Sequence, residues 1–244
     1  MTRGLAVFFS GVGVLAAVLP LFAEEEFPHP FEVATTERVD FSAGGTIRLN
    51  GSYGYLSVDG WDEPRVEITV IKSTDHFFEP RQQEEAKQRL DLIHVTTERT
   101  SATELSITTS RPPRHNTWAH LLPRTKTEGV TVELRIHVPR DSRLAIHHDM
   151  GYVWVSDVTG EIEANSHTGD MIVMLPDPGP YSIDAKTHLG SVSSDFTGAG
   201  IKQFVTGTKF IRTGEGPARR VHLRMGRGSI TIKQSPPPEF ASKN

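Results

Sequence analysis

The sequence predicts an all-β protein, and within that class a right-handed parallel β-solenoid with a short helical and strand insertion. Three observations lead there. First, a string of the form Gly-x-(Val/Ile/Met)-x-(Val/Ile) recurs, as Gly151-Tyr-Val-Trp-Val, Gly169-Asp-Met-Ile-Val and Gly228-Ser-Ile-Thr-Ile, with Gly45-Thr-Ile-Arg-Leu, Gly54-Tyr-Leu-Ser-Val and Gly190-Ser-Val-Ser-Ser as looser copies. Second, Gly151, Gly169 and Gly190 stand 18 and 21 residues apart, and Gly228 follows after 38, twice 19. Third, apolar and polar residues alternate around each glycine, the period of a strand with one buried face. Composition agrees, because 21 glycines and 16 prolines in 244 residues exceed the ordinary usage of about 7% and 5%. The alternative is an antiparallel β-sandwich, which also needs frequent turns. The column Ile146, Ala164, Ala185 and Leu223, five residues before each glycine, favours stacked coils.

The elements follow in chain order. Residues 1–23 read as a signal peptide: Arg3 is basic, Leu5 to Phe22 carry no charge, and Leu21-Phe22-Ala23 precedes Glu24-Glu25-Glu26. An uncleaved anchor is the other reading of that 18-residue run. Residues 24–39 form an extended N-terminal segment. A single solenoid domain is expected over 40–234, opening with the coils at Gly45 and Gly54. Within it, residues 73–128 interrupt the repeat. Pro80 to Ile93 reads as an amphipathic helix, with Ala86, Leu90 and Ile93 on one stripe and Pro80 at its first turn. Leu92 to Glu98 and Glu104 to Ser110 read as a strand pair, and Arg111 to His120 as an irregular loop. These pieces are expected to cap or flank the stack, whose open edges would otherwise be unpaired. Val130, Val132, Leu134, Ile136 and Val138 then mark one long strand ended by Pro139. Coils of about 19 residues run on to Gln234, each with a perimeter of roughly 60–70 Å at 3.3 Å per residue. Residues 235–244 form a disordered, proline-rich tail.

Several of these residues carry a resemblance. Gly51 to Trp61, the Val66-Glu-Ile-Thr-Val70 strand, and Val138-Pro139 followed by Leu144-Ala-Ile146 resemble the bacterial putative-adhesin family, over about residues 40 to 234. The resemblance implies exported β-solenoid modules of the envelope or cell surface, linked to adhesion or envelope stress. It brings no catalytic residues with it. The sequence shows no translocator barrel or sortase-type anchor of the kind large adhesins carry, so self-supported surface adhesion is not expected.

The chemistry-bearing residues point to binding more than to catalysis. There is no cysteine, so thiol catalysis, thiolate metal sites and disulfides are excluded. A formal charge of −4 speaks against a nucleic-acid partner. Asp149, His167 and His188 share the position two residues before a repeat glycine. Stacked on successive rungs about 5 Å apart, they would suit a divalent transition metal, or else form a polar ladder at a solvated corner. Mutual repulsion on protonation would then loosen that edge in acid. The outward face has one carboxylate, Asp170, and no accompanying base, so general acid–base catalysis lacks its second partner. Tyr152 and Trp154 are expected under the helix near Pro80; left open, they would offer rings to a sugar. Trp118, in the Arg111–His120 loop, is the third binding candidate, while Trp61 is expected to wedge beneath the first coil.

The sequence thus predicts an exported, non-enzymatic binding or structural module of the bacterial envelope, periplasmic or at the cell surface. Its expected partner is an envelope protein or a carbohydrate, with no cofactor and no membrane span once the signal is removed. Oligomers through the solenoid ends are possible, with a partner strand added near Ile230. The alternative is a metal-dependent or polysaccharide-acting protein using the histidine column.

Overall fold

The computed structural model describes residues 29–78, 83–110, 129–176, 179–202 and 207–235. The expected signal peptide, the Arg111–His120 loop with Trp118, and the tail beyond Ser235 lie outside the described residues. Alternating sequence becomes strand almost throughout. The described strands are β1 (His29–Asp40), β2 (Thr46–Trp61), β3 (Arg65–Phe78), β4 (His94–Ser101), β5 (Glu104–Ser110), β6 (Val130–Pro139), β7 (Arg143–Ser156), β8 (Ile162–Pro176), β9 (Tyr181–Leu189), β10 (Val192–Ser194), β11 (Ala199–Lys202), β12 (Thr208–Arg212) and β13 (Arg219–Ser235), with one helix, α1 (Gln83–Leu90), among the described residues. The protein is all-β. All thirteen strands belong to one sheet that does not close, in the order β1-β3-β6-β2-β7-β8-β13-β9-β12-β11, with β10 on β13 and the β4–β5 pair on β2.

The long strands β2, β7, β8 and β13 run parallel and in register, and their glycines are partners: Gly54 with Gly151, Gly151 with Gly169, and Gly169 with Gly228. Each of these glycines has a positive φ, between +90° and +130°. Side-chain parity changes there. In β7, Leu144, Ile146 and His148 face inward before Gly151, and Val153 and Val155 after it. In β8 the inward set passes from Ile162, Ala164 and Ser166 to Met171, Val173 and Leu175 across Gly169. A strand that kept its alternation would turn its second half outward. The positive-φ glycine corrects the parity, so both halves feed one continuous core. Each fully buried Val, Leu or Ile of that core contributes about 1.5–3 kcal/mol.

Close approach fixes glycine as strongly as φ does. A Cβ on Gly151 would lie 1.9 Å from the Gly54 carbonyl oxygen, one on Gly169 1.8 Å from that of Gly151, and one on Gly228 1.6 Å from that of Gly169. On Gly190 it would meet the Gly228 oxygen at 1.9 Å. Backbone cannot yield as a flexible side chain can.

That contact also gives the spatial order: Gly54, Gly151, Gly169, Gly228, Gly190. The last two are inverted relative to the chain, because β13 inserts between β8 and β9. After Gly190 the chain adds β10, parallel to β13, and then leaves the parallel set. It forms β11 and β12, which pair antiparallel, and β12 pairs antiparallel with β9. The 38-residue interval is therefore not two equal coils. Ile230, expected near an open end, is flanked by Met171 and Val192 and has no free edge to offer.

The insertion supplies flanks. Ala86 and Leu90 of α1, and Ile93 after it, are buried, and the helix packs on β3 and β1. Lys72 Nζ donates to the carbonyl of Ile93, just past the helix, at 2.5 Å, and at 3.5 Å to that of Leu90, the last helical residue, which also accepts the Ile93 N–H at 3.1 Å. β5 runs parallel to the first half of β2, and β6 to its second half. Of the extended segment expected over residues 24–39, the described part from His29 onward runs with Asp40 as β1, antiparallel to β3 in the same sheet.

Two outcomes follow. Gly169→Ala should destabilise the fold by about 3–5 kcal/mol, while Gly200→Ala, with nothing within 4 Å, should change stability by less than about 0.5 kcal/mol; chemical denaturation of both variants measures the contrast. The second concerns His148, whose imidazole is buried and whose pKa burial pushes down to about 4, against the pull of Asp149. A depressed histidine leaves the folded state with fewer bound protons than the unfolded chain between about pH 4 and 6.5. Stability should therefore be full above pH 6.5 and fall as pH drops to 4, by about 2–3 kcal/mol. Denaturation at pH 7 and pH 4.5 should show this loss, and His148→Leu should remove most of it.

Candidate functional site

On either side of the glycine corner, β7, β8, β13 and β9 present outward residues to solvent. Before the corner, residues opposite one another across the strands form a row: His147, Asn165, Arg224, Lys186 and Lys209. The next row toward the corner is Asp149, His167, Gly226 and His188, placed at one level by the pairs on both sides of it. A cavity of about 440 Å³ opens here, lined by His147, His167, His188, Lys186 and Arg224 among others.

Gly226 explains the space. It stands where neighbouring strands carry an imidazole, and a Cβ there would meet the His167 carbonyl oxygen at 2.5 Å. It also separates His167 from His188, which the sequence places on successive rungs. With β13 between β8 and β9, the two lie two strand spacings apart, about 9–10 Å. Among the described residues no group of three His, Asp or Glu could hold a metal ion. Mutual histidine repulsion loses its geometric basis for the same reason.

The cations in this region compete for one carboxylate. Arg224 donates to Asp184 from Nη2 at 2.8 Å and from Nη1 at 3.3 Å. Lys209 Nζ lies 3.6 Å from the same side chain, and His222 Nδ1 3.9 Å. Burial works to raise the Asp184 carboxyl, but the hydrogen bond and charge of Arg224, with Lys209 and His222, hold it below the usual range.

Beyond the corner lies the second candidate, the face carrying Tyr152 and Trp154. Tyr152 is 59% exposed and faces Tyr55, 37% exposed, across the β2–β7 pair. Trp154 is half-buried on the same side, opposite Ser57 and Ile172. Met150, at the corner, is exposed as well. The expected cover is not there: α1 packs on β3 and β1, leaving the Tyr152 ring open. Polar groups beside the rings are held in place. Asp170 Oδ1 accepts from the Ser229 backbone N–H at 3.1 Å and from its hydroxyl at 2.5 Å. Asp59 accepts from the hydroxyls of Ser57, at 2.7 Å, and Ser156. Trp61 is not wedged beneath a coil; its ring stacks on His137 at 5.1 Å, and its Nε1 donates to the Arg65 carbonyl.

Sequence reasoning missed Tyr55, Lys186 and Gly226. Tyr55 sits at the same offset from Gly54 as Tyr152 does from Gly151, which is the signal that marks it. Lys186 and Gly226 join their rows only through the insertion of β13, which no local pattern announces.

No protein-family model matches the chain, and no curated protein matches it. The structure is similar to that of a putative cell adhesion protein from Clostridium sporogenes, with a TM-score of 0.50 and 16% identity over 85% of this chain and 100% of that one. A putative adhesin from Bacteroides fragilis aligns at 9% identity and a TM-score of 0.26, covering 83% of this chain and 97% of that one. A putative adhesin from Parabacteroides distasonis aligns at 10% identity and a TM-score of 0.26, covering 84% and 67%. The Clostridium sporogenes likeness is one of fold.

Proposed function

We propose that the protein is an exported, non-enzymatic binding module of the bacterial envelope with an adhesin-like role, its parallel strands forming the coils of a right-handed β-solenoid. The in-register partnership of β2, β7, β8 and β13 supports the coil reading, and the likeness to a putative cell adhesion protein agrees with the role. The observation that carries it is the open aromatic face. Tyr55 and Tyr152, exposed, and the half-buried Trp154 stand on two paired strands of a rigid sheet that needs no reorganisation to bind. Flat rings in such a setting receive the apolar faces of sugar rings, and the fixed Asp170 and Asp59 carboxylates accept hydrogen bonds from hydroxyls. The partner is accordingly a surface carbohydrate. Rings left in water cost the free protein contact area that a partner would cover.

A glycan array probed with the chain lacking residues 1–23 tests this. Retention of a defined set of glycans is expected, with Tyr152→Ala and Trp154→Ala each weakening it about tenfold or more, the ~1–2 kcal/mol expected of a truncated aromatic contact. Because Tyr152 is exposed, its variant should melt as the parent does. Retention unchanged in the double variant, or no glycan retained, overturns the assignment.

A further inference from the structure

On the other side of the glycine corner the structure carries a feature that the aromatic face does not explain. Lys209 faces Lys186 across β12 and β9, and Lys186 faces Arg224 across β9 and β13. Three cations thus occupy consecutive directly opposed positions. Like charges opposed in this way destabilise a sheet. Asp184 relieves part of the repulsion, but Arg224 and Lys209 already share it. Lys186 has no ion pair among the described residues, and it lines the cavity of about 440 Å³ that Gly226 opens. His147, His167 and His188 ring the same space, with Asp149 the carboxylate facing it. The remaining acid nearby, Glu163, projects from the next row, beside Ala145 and His222. Asn165, between His147 and Arg224, adds an uncharged side chain able to donate hydrogen bonds.

We propose that this cavity is a binding site for the anionic groups of an acidic polysaccharide, with Lys186 as the principal cation and the imidazoles and Asn165 as hydrogen-bonding neighbours. The free protein carries an unrelieved positive charge between two others; a carboxylate or sulfate ester seated over Lys186 supplies what Asp184 cannot. A nucleic-acid partner fits less well, because the cationic row is one residue wide on a chain of net charge −4. The site stands apart from the aromatic face and does not depend on it.

Affinity electrophoresis of the chain lacking residues 1–23, through gels containing polygalacturonate, dextran sulfate or uncharged dextran, tests the site. Retardation by polygalacturonate identifies the carboxylate as the ligand group, and by dextran sulfate the sulfate ester; either supports the proposal. Lys186→Gln should weaken retardation about tenfold or more, and Lys186→Arg should retain most of it. A second readout separates binding from structure: removing one of three opposed cations should leave the melting temperature unchanged or higher. No retardation by either acidic polymer, or retardation that survives Lys186→Gln combined with Lys209→Gln, overturns it. Equal retardation by duplex DNA overturns the polysaccharide assignment in favour of general polyanion attraction. Tyr152→Ala should leave the acidic-polymer result unchanged, so failure of one face is distinguishable from failure of the other.

Discussion

The structure depends on one constraint, the approach of five glycines in a line so close that four of them have no room for a Cβ beside the carbonyl oxygen of the glycine before them. At the observed spacing a methyl group on Gly151, Gly169, Gly190 or Gly228 would fall within 2 Å of backbone oxygen. The contact holds the corners of β2, β7, β8 and β13 in one line, and that line sets the register of everything on either side. Parity is corrected at the same place, so Ile146 and Val153 enter one core although they stand an odd number of positions apart. The result is a rigid two-part strand surface with a turn at a fixed position. Both candidate sites are defined by where they lie relative to that turn.

The rows of outward side chains are a consequence. In a sheet whose strands are parallel and in register, equivalent residues become neighbours, so a single side-chain type is multiplied or interrupted across strands. Tyr55 and Tyr152 show multiplication, since the same offset from a glycine puts an exposed ring on two adjacent strands. Gly226 shows interruption, since the missing side chain opens a cavity between His167 and His188. Lys209, Lys186 and Arg224 show that the rule does not by itself favour stability, because it also brings like charges together.

Much of this was legible in the sequence, because it is written locally. Alternation gave strands, and the shared offsets from Gly54, Gly151, Gly169 and Gly228 gave the register that the sheet displays. The column of Ile146, Ala164, Leu223 and Ala185 is present with its members opposite one another. What was not legible is order. Nothing between Ser191 and Arg219 marks an excursion into antiparallel β11 and β12, or says that the returning strand slots between β8 and β9 instead of following β9. The histidine column misled for that reason: Asp149, His167 and His188 do share a level, but Gly226 shares it too. The helix was legible from Ala86 and Leu90. Its docking site was not, because Lys72, which binds the carbonyls of Leu90 and of Ile93 just past the helix, lies on a strand far from any helical pattern.

The position of β13 also bears on how the chain reaches its fold. It is the last described strand in sequence and lies in the middle of the sheet, where β8 and β9 each use it as a partner. Until residues 219–235 emerge, those two strands have no ladder on that side, and the buried columns of Ala164 and Ala185 lack the Leu223 between them. Pairings of such sequence separation form late, after the cost of closing long loops has been met. The core between β8 and β9 is complete only once residues 219–235 have joined it. Strands β8 and β9 are near neighbours in the sequence, yet in the sheet they meet only through a strand that lies further along the chain than either.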